Sequence, residues 1–220
     1  MRLPDLHRRI LADILDLGAQ YPLVITGGYA VQAHDLVHRL SQDLDVATEN
    51  PAPMKEIIET LSRGLTARGW RVRQVEVDPL SGRLLVSTAS GDDQCEVDVL
   101  KEAFWQTPVT TEYGPVLALD DVIGTKMRAL ADRGVARDLI DIHAASAGRS
   151  RSQLESLGRR HAREDFSLHD LRDRLAGAQW RDDQEFTAYG LSFADIEMIR
   201  LWAQDWADDL DRRLYEHDGD

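Results

Sequence analysis

Apolar residues Leu6, Ile10, Ile14 and Leu17 recur at helical spacing through residues 4–19, which predicts a first amphipathic helix. Pro22-Leu-Val-Ile-Thr26 then reads as a short buried strand stopped by Gly27-Gly28, and Tyr29–Val37 suits a second helix. Asp43–Thr48 is a second short strand. Asn50-Pro51-Ala52-Pro53 breaks the chain ahead of a helix through Ile57, Ile58 and Leu61. Three further strands are expected at Trp70–Val77, Arg83–Ser87 and Gln94–Leu100, separated by the turn signals Asp78-Pro79, Ser81-Gly82 and Gly91-Asp92. From Leu119 onward the period is helical, punctuated by Gly134, Gly148, Gly177 and Gly190. The expected fold is therefore α+β: a small mixed sheet flanked by helices over residues 1–147, then a helical part over residues 148–220.

The composition, 43% hydrophobic and 30% charged over 220 residues, is that of an ordinary globular protein. A single cysteine, Cys95, excludes an intrachain disulfide, and no Cys/His cluster has zinc-site spacing. Cys95 shares the core face of its strand with Val97 and is expected to be inert. Asp5, Arg8 and Arg9 interrupt the N-terminal apolar positions, so no secretory block is expected, and no later run is long enough to span a membrane. A cytoplasmic protein is expected. The formal net charge of −13 argues against a protein that coats nucleic acid non-specifically. The charge is uneven, however. Arg149, Arg151, Arg159, Arg160 and Arg163, with His161, face only Glu155 in the same stretch, whereas residues 181–220 are heavily acidic. That basic stretch is equally readable as a solvated helix face or a nucleic-acid-facing patch.

The chemistry is concentrated around Asp43 and Asp45. On a strand of period two these carboxylates project from one face while Leu44 and Val46 turn to the core. Two adjacent carboxylates repel unless a cation joins them, and Mg²⁺ or Mn²⁺ with its preference for hard oxygen ligands suits that position. Glu96 and Asp98 share a face of the later strand in the same way, and if that strand lies beside the Asp43–Thr48 strand, Asp98 becomes a third metal ligand. Three such carboxylates can hold two metal ions about 4 Å apart, one activating a hydroxyl and one clamping a triphosphate. Gly27 and Gly28, between strand and helix, allow close approach of backbone to phosphate. A Gly-Gly pair or an Asp-x-Asp alone is weak; the ordered set is far more specific.

In this order the motifs resemble the AbiEii-type nucleotidyltransferase family, which includes the MenT-like toxins and shares the polymerase-β nucleotidyltransferase core. Fourteen residues separate Gly28 from Asp43, as in that family. A second block, Lys126-Met-Arg-Ala-Leu-Ala-Asp-Arg133 followed by Arg137-Asp138-Leu-Ile-Asp141, is similar to the family signature K-x3-L-x2-R-x3-R-D-x2-D. The resemblance runs from about Leu23 to Ala145 and implies transfer of a nucleoside monophosphate from an NTP to an acceptor hydroxyl, with loss of pyrophosphate. It points to RNA, foremost a tRNA 3′ end, as acceptor, to action as a growth-arresting toxin, and to a cognate antitoxin protein. It implies catalytic roles for Asp43, Asp45, Lys126 and Asp138, and nucleotide contacts for Gly27, Gly28, Ser41, Lys126, Arg133, Arg137 and Asp141. Read without the resemblance, Arg133, Arg137, Asp138 and Asp141 make surface ion pairs between two helices. Many polymerase-β relatives carry Ser after the first glycine; here Gly28 stands there, so that hydroxyl is missing or supplied by Thr26 or Ser41.

Ser41 lies two residues before Asp43 and shares its side if the strand begins that early; otherwise it only shapes a turn. On the site, a phosphate group added to it would place about −1.5 to −2 charges beside the Asp pair and switch transfer off. His34 and His38 stand at i, i+4 without a third ligand of the same kind, and Trp202 and Trp206 at the same spacing suit core packing or a partner groove better than base stacking. Two rival functions remain: the same chemistry on a small molecule or a protein side chain, and a catalytically silent binding module, against which stand Asp43, Asp45, Asp98 and Lys126.

Overall fold

The computed structural model describes residues 1, 3–37 and 41–217 and divides the chain into two compact units, one holding Met1–Asp35 and Leu40–Val122, the other Leu36–Arg39 and Ile123–Asp220. The first unit contains helices α1 (Asp5–Leu17), α2 (Gly27–Ala33) and α3 (Met54–Ala67). Its strands are β1 (Val24–Ile25), β2 (Leu44–Thr48), β3 (Arg71–Val77), β4 (Ser81–Ser87), β5 (Gln94–Lys101), β6 (Val109–Thr111) and β7 (Gly114–Val116). They form one seven-stranded mixed sheet in the order β3-β4-β5-β2-β1-β7-β6. The β2–β5 and β1–β7 pairs are parallel and the others antiparallel.

The sheet's inner face follows the expected alternation. Leu44, Val46, Leu84, Val86, Cys95, Val97 and Val99 are buried, together with Ile57, Ile58, Leu61 and Leu65 of α3 and Ile10, Leu11 and Ile14 of α1. Gly82 lets α3 lie close to β4, since a Cβ there would come within 2.4 Å of Ile58. The polar positions of β4 and β5 alternate onto the opposite face.

Helix α4 (Leu119–Asp132) contains the division between the units at Val122/Ile123. The second unit continues through α5 (Ala136–Ser146), α6 (Arg151–His161), α7 (Leu168–Ala176), a 3₁₀ turn (Gly177–Trp180), α8 (Asp183–Thr187) and α9 (Phe193–His217). All four expected glycine stops fall at helix ends or between helices. Ser150 and Gln153 close a capping box at the start of α6. Leu139, Ile142, Leu171, Phe186, Ile196, Ile199, Ala203, Trp206 and Leu210 form the unit's core. Residue 147, the expected domain limit, lies in this second unit between α5 and α6.

Three local expectations are corrected. The first strand is only Val24–Ile25, because Thr26 already caps α2 and the helix takes in both glycines. That helix ends at Ala33 rather than Val37, with His34 as its C-cap and Asp35 at a φ of 53°. Strand β2 begins at Leu44, leaving Asp43 in the bend before it. The β6–β7 hairpin has no counterpart in the sequence reading.

Candidate active site

The parallel pairing of β2 with β5 sets Asp45 opposite Asp98, and the antiparallel pairing of β5 with β4 sets Asp98 opposite Arg83. Cross-strand partners project from the same face. Asp45, Asp98 and Arg83 therefore stand abreast on three adjacent strands, on the face away from α3. Arg83 clamps Asp98 with two parallel bonds, Nε to Oδ1 at 2.7 Å and Nη2 to Oδ2 at 2.8 Å, and its Nη1 lies 3.7 Å from Glu96. Hydrogen bonding to Asp98, then the charges of Asp98, Glu96 and Asp43, raise the Arg83 pKa against the cost of burial. Asp43 thus acts electrostatically on the same guanidinium.

Gly27 belongs to this site for a reason of shape. Its φ is +60°, and a Cβ built there would sit 1.9 Å from Oδ2 of Asp45. Any side chain would displace the carboxylate, so the first glycine is tied to the second aspartate of the Asp-x-Asp pair. The Thr26 amide, donating to the Asp45 carbonyl at 2.9 Å, fixes the same approach. Gly28 is buried inside the first turn of α2. The Thr26 hydroxyl makes no cap bond to α2.

The bend before β2 is held from behind. The Ser41 hydroxyl donates to the Asp43 carbonyl at 3.2 Å. The Tyr29 hydroxyl lies 3.4 Å from the Ser41 carbonyl and 2.6 Å from Nδ1 of His7. Both rings are buried. Burial, then the charges of Cys95, Asp43 and Asp45, push the Tyr29 hydroxyl up, while burial lowers His7 against a smaller opposing effect of Asp43. Ser41 therefore orients the backbone of Asp43 rather than projecting from a strand with it. Nothing in residue spacing indicated this relay, since its members come from α1, α2 and the bend.

Hard carboxylate oxygens on Asp43, Asp45 and Asp98 suit Mg²⁺ or Mn²⁺ by donor chemistry. Among the described residues, no three His, Cys, Asp or Glu side chains are already gathered as metal ligands. Arg83, unremarked in the sequence except as a strand end, donates to both oxygens of Asp98. A signal for it existed in the alternation of β4, but using it required the register against β5.

The second motif block forms two ion-pair rungs onto α5, one from α4 and one from the turn that follows it. Lys126 Nζ contacts Asp141 Oδ2 at 2.9 Å, and Arg133 grips Asp138 through Nε at 2.9 Å and Nη2 at 3.1 Å. The turn between the helices uses Gly134 at a φ of +55°. The reading as plain surface pairs fails on burial: Asp138 is 0% and Asp141 1% exposed, although Arg133 keeps 48% of its side chain in solvent. Asp138 has the surroundings of a positioning residue, enclosed and gripped at both oxygens. Arg137 is half-buried on α5.

The other candidates take structural places. His34 Nε2 bonds the Leu117 carbonyl at 2.7 Å, and His38 lies outside the described residues, so the pair forms no described site. Trp206 is fully buried with its indole nitrogen donating to Glu155, and Trp202 packs edge-on between Trp206 and His143. Burial holds the Cys95 thiol up at about 12, in keeping with an inert residue.

The seven-stranded mixed sheet with its helices has the fold of solved nucleotidyltransferase structures. The chain belongs to the nucleotidyl transferase AbiEii toxin family of type IV toxin–antitoxin systems, whose family model matches residues 9–218. It is thus a nucleotidyltransferase whose family implies an antitoxin partner and an NTP substrate. The match extends well past the Leu23–Ala145 stretch that carries the motifs. Among solved structures, the chain is similar to MenT4, a nucleotidyltransferase toxin from Mycobacterium tuberculosis, with 18% identity, TM-score 0.58, and coverage of 94% of this chain and 85% of that one. It is similar to a protein from H. pylori described as a nucleotidyltransferase, with 17% identity, TM-score 0.57, and coverage of 97% and 98%. It is also similar to JHP933 from Helicobacter pylori, with 19% identity, TM-score 0.53, and coverage of 99% and 97%. No curated protein matches the sequence significantly. Among the described residues, no helix is long and apolar enough to cross a membrane.

Proposed function

We propose that the chain transfers a nucleoside monophosphate from an NTP to a hydroxyl of RNA, foremost a tRNA 3′ end, with Asp43, Asp45 and Asp98 holding Mg²⁺ or Mn²⁺. The observation that carries this reading is the row of Asp45 and Asp98 on adjacent parallel strands, with Gly27 pressed against the Asp45 carboxylate. When bound, the metal supplies charge neutralisation for the triphosphate and lowers the pKa of the attacking hydroxyl. Gly27 lets the Asp45 carboxylate lie against the start of α2, where Gly27 and Gly28 carry backbone N–H groups for phosphate, and Ser41, by holding the Asp43 backbone, keeps the Asp43 carboxylate in place. Lys126, Arg133 and Arg137 supply positive charge for the polyphosphate, while Asp138 and Asp141 hold two of these cations in position.

RNA as acceptor is supported by the exposed Arg159, Arg160 and Arg163 in and after α6. A small-molecule or protein acceptor keeps one observation in its favour, the formal net charge of −13. Incubating the purified protein with each radiolabelled NTP and total RNA tests the reading. Label should enter RNA for the wild type, and be lost with Asp43→Ala or Asp45→Ala while the circular dichroism spectrum is retained. Undiminished transfer by either variant at ordinary Mg²⁺ removes the metal assignment; label entering no RNA moves the acceptor to another class.

A further inference from the structure

Asp98 is the carboxylate that the proposed metal site needs and that the structure shows occupied. Both of its oxygens accept from Arg83, in the planar two-bond geometry that makes guanidinium–carboxylate pairs strong. The pair is not a surface accident. Register places Arg83 directly opposite Asp98, on the same face as Asp45, and Asp98 is only 18% exposed. Arg83 keeps 41% of its side chain in solvent, so the guanidinium has somewhere to go when it lets go.

The electrostatics explain why such a cation belongs there. Asp43, Asp45, Glu96 and Asp98 lie in or beside two adjacent strands, and like charges at this spacing raise one another's cost of ionisation. A guanidinium bridging Asp98 and approaching Glu96 relieves that repulsion while no metal is bound. It cannot coexist unchanged with a divalent cation on Asp98. The two positive charges would stand a few ångströms apart, and the carboxylate would have to divide its lone pairs between them.

We propose that Arg83 is an exchangeable counter-cation of the active site: it holds Asp98 until a divalent metal takes that carboxylate, and so sets the metal affinity of the site. The inference rests on the reading of Asp43, Asp45 and Asp98 as metal ligands, and goes beyond it by naming the group the metal must displace. The exchange moves no proton and breaks no covalent bond. Two N–H···O bonds are given up, the carboxylate oxygens turn to the metal, and the released guanidinium re-enters water or pairs with an anionic phosphate. Arg83 is on this account a positioning residue, acting through Asp98.

Binding of Mn²⁺ to the nucleotide-free protein, followed by electron paramagnetic resonance of the free ion, tests it without any turnover. R83Q should bind Mn²⁺ about 10-fold more tightly than the wild type, the equivalent of one charge-assisted pair no longer competing. R83Q/D98N should lose that gain, because the carboxylate being competed for is gone. R83K, which keeps the charge but not the two-bond geometry, should fall between, and it serves as the informative variant if R83Q does not fold. D45N serves as the control that binding is at this site. Equal or weaker binding by R83Q, with Asp45-dependent binding intact in the wild type, overturns the exchange. If neither protein shows Asp45-dependent binding at millimolar Mn²⁺, the metal reading itself fails, and this inference with it.

Discussion

At Gly27 two independent demands meet on one atom, the Cβ that is absent. The left-handed φ alone costs an alanine about 1–2 kcal/mol. The contact with Asp45 is more damaging, because a methyl group at 1.9 Å from Oδ2 must push the carboxylate aside. Gly27→Ala is therefore expected to fold with a modest loss of stability and to lose about 100-fold in kcat, the scale of a displacement near 1 Å at a reacting centre. Steady-state kinetics beside a denaturant melt check it, and kcat within a few-fold of wild type would show that the carboxylate tolerates the move. The relay behind Asp43 gives a pH expectation. Burial holds His7 below its ordinary value of 6.5, so the unfolded chain takes up the proton more readily than the folded one. Stability contributed there is fully present above about pH 6.5 and declines as pH falls through and below that value. His7→Gln should flatten this acid limb between about pH 6.5 and 5 in thermal melts, and an unchanged limb would mean that other groups govern it. The Asp-x-Asp pair and the glycine turn are visible in sequence, because each is a local pattern. What Gly27 touches, and what Arg83 and Tyr29 do, depends on strand register and helix packing, which no local pattern records.

The pairing of α4 with α5 shows how an element-scale motif can serve structure and chemistry together. Lys126 and Asp141 are both nearly out of solvent, so truncating the lysine takes a cation from a buried carboxylate, at a cost of about 3 kcal/mol. Loss of activity in Lys126→Ala would by itself be ambiguous between a missing phosphate contact and a loosened helix pair. The double variant Lys126→Ala/Asp141→Asn separates them, since it also removes the carboxylate's charge. It should recover about half or more of the lost stability in chemical denaturation while NTP use stays as poor as in the single variant. Recovery of kcat/KM for NTP along with stability would make Lys126 purely structural. Arg133 and Asp138 are asymmetric in the same sense. Arg133→Met takes the guanidinium from an enclosed Asp138 and should cost more than Asp138→Asn, which leaves the cation on a side chain that is 48% exposed. At this scale the sequence was most legible where period and punctuation agree: α1, α3, β5 and the glycine-separated helices after Leu119; β4 was expected from Arg83, but it takes in Ser81-Gly82, which read as a turn. The sequence was least legible at β6 and β7, whose three-residue strands are too short for a period of two to register, and at β1, where the first turn of α2 takes the end of the expected strand.

At the scale of the whole molecule, an acidic protein acting on RNA has to concentrate its few outward cations. The formal charge of −13 repels a polyanion at long range, so any RNA contact must come from a local patch and must weaken steeply with salt. The stretch from Arg149 to Arg163 is strongly basic, but its arginines are not equivalent. Arg151, only 31% exposed, is drawn into ion pairs with Asp205 and Asp209 of α9. Arg159, lying over the ring of Phe166, is exposed, as are Arg160 and Arg163. If these three meet phosphates of a single-stranded acceptor end, each contributes about 0.7 to the slope of log affinity against log salt. Reversing Arg159 and Arg160 to Glu should lower that slope by about 1.4 and raise KM for RNA by about 10-fold or more at low salt. The KM for NTP should stay unchanged, because neither side chain belongs to the proposed nucleotide site. Arg151→Glu provides the contrast: it breaks the α6–α9 pairs and should lower the melting temperature with little change in the salt slope. Equal RNA KM and equal slope in wild type and the double reversal would take RNA away from this face. With so acidic a protein, that result together with no loss of RNA affinity on reversing Arg71 and Arg73, in the other basic stretch, would favour a small-molecule or protein hydroxyl as the acceptor.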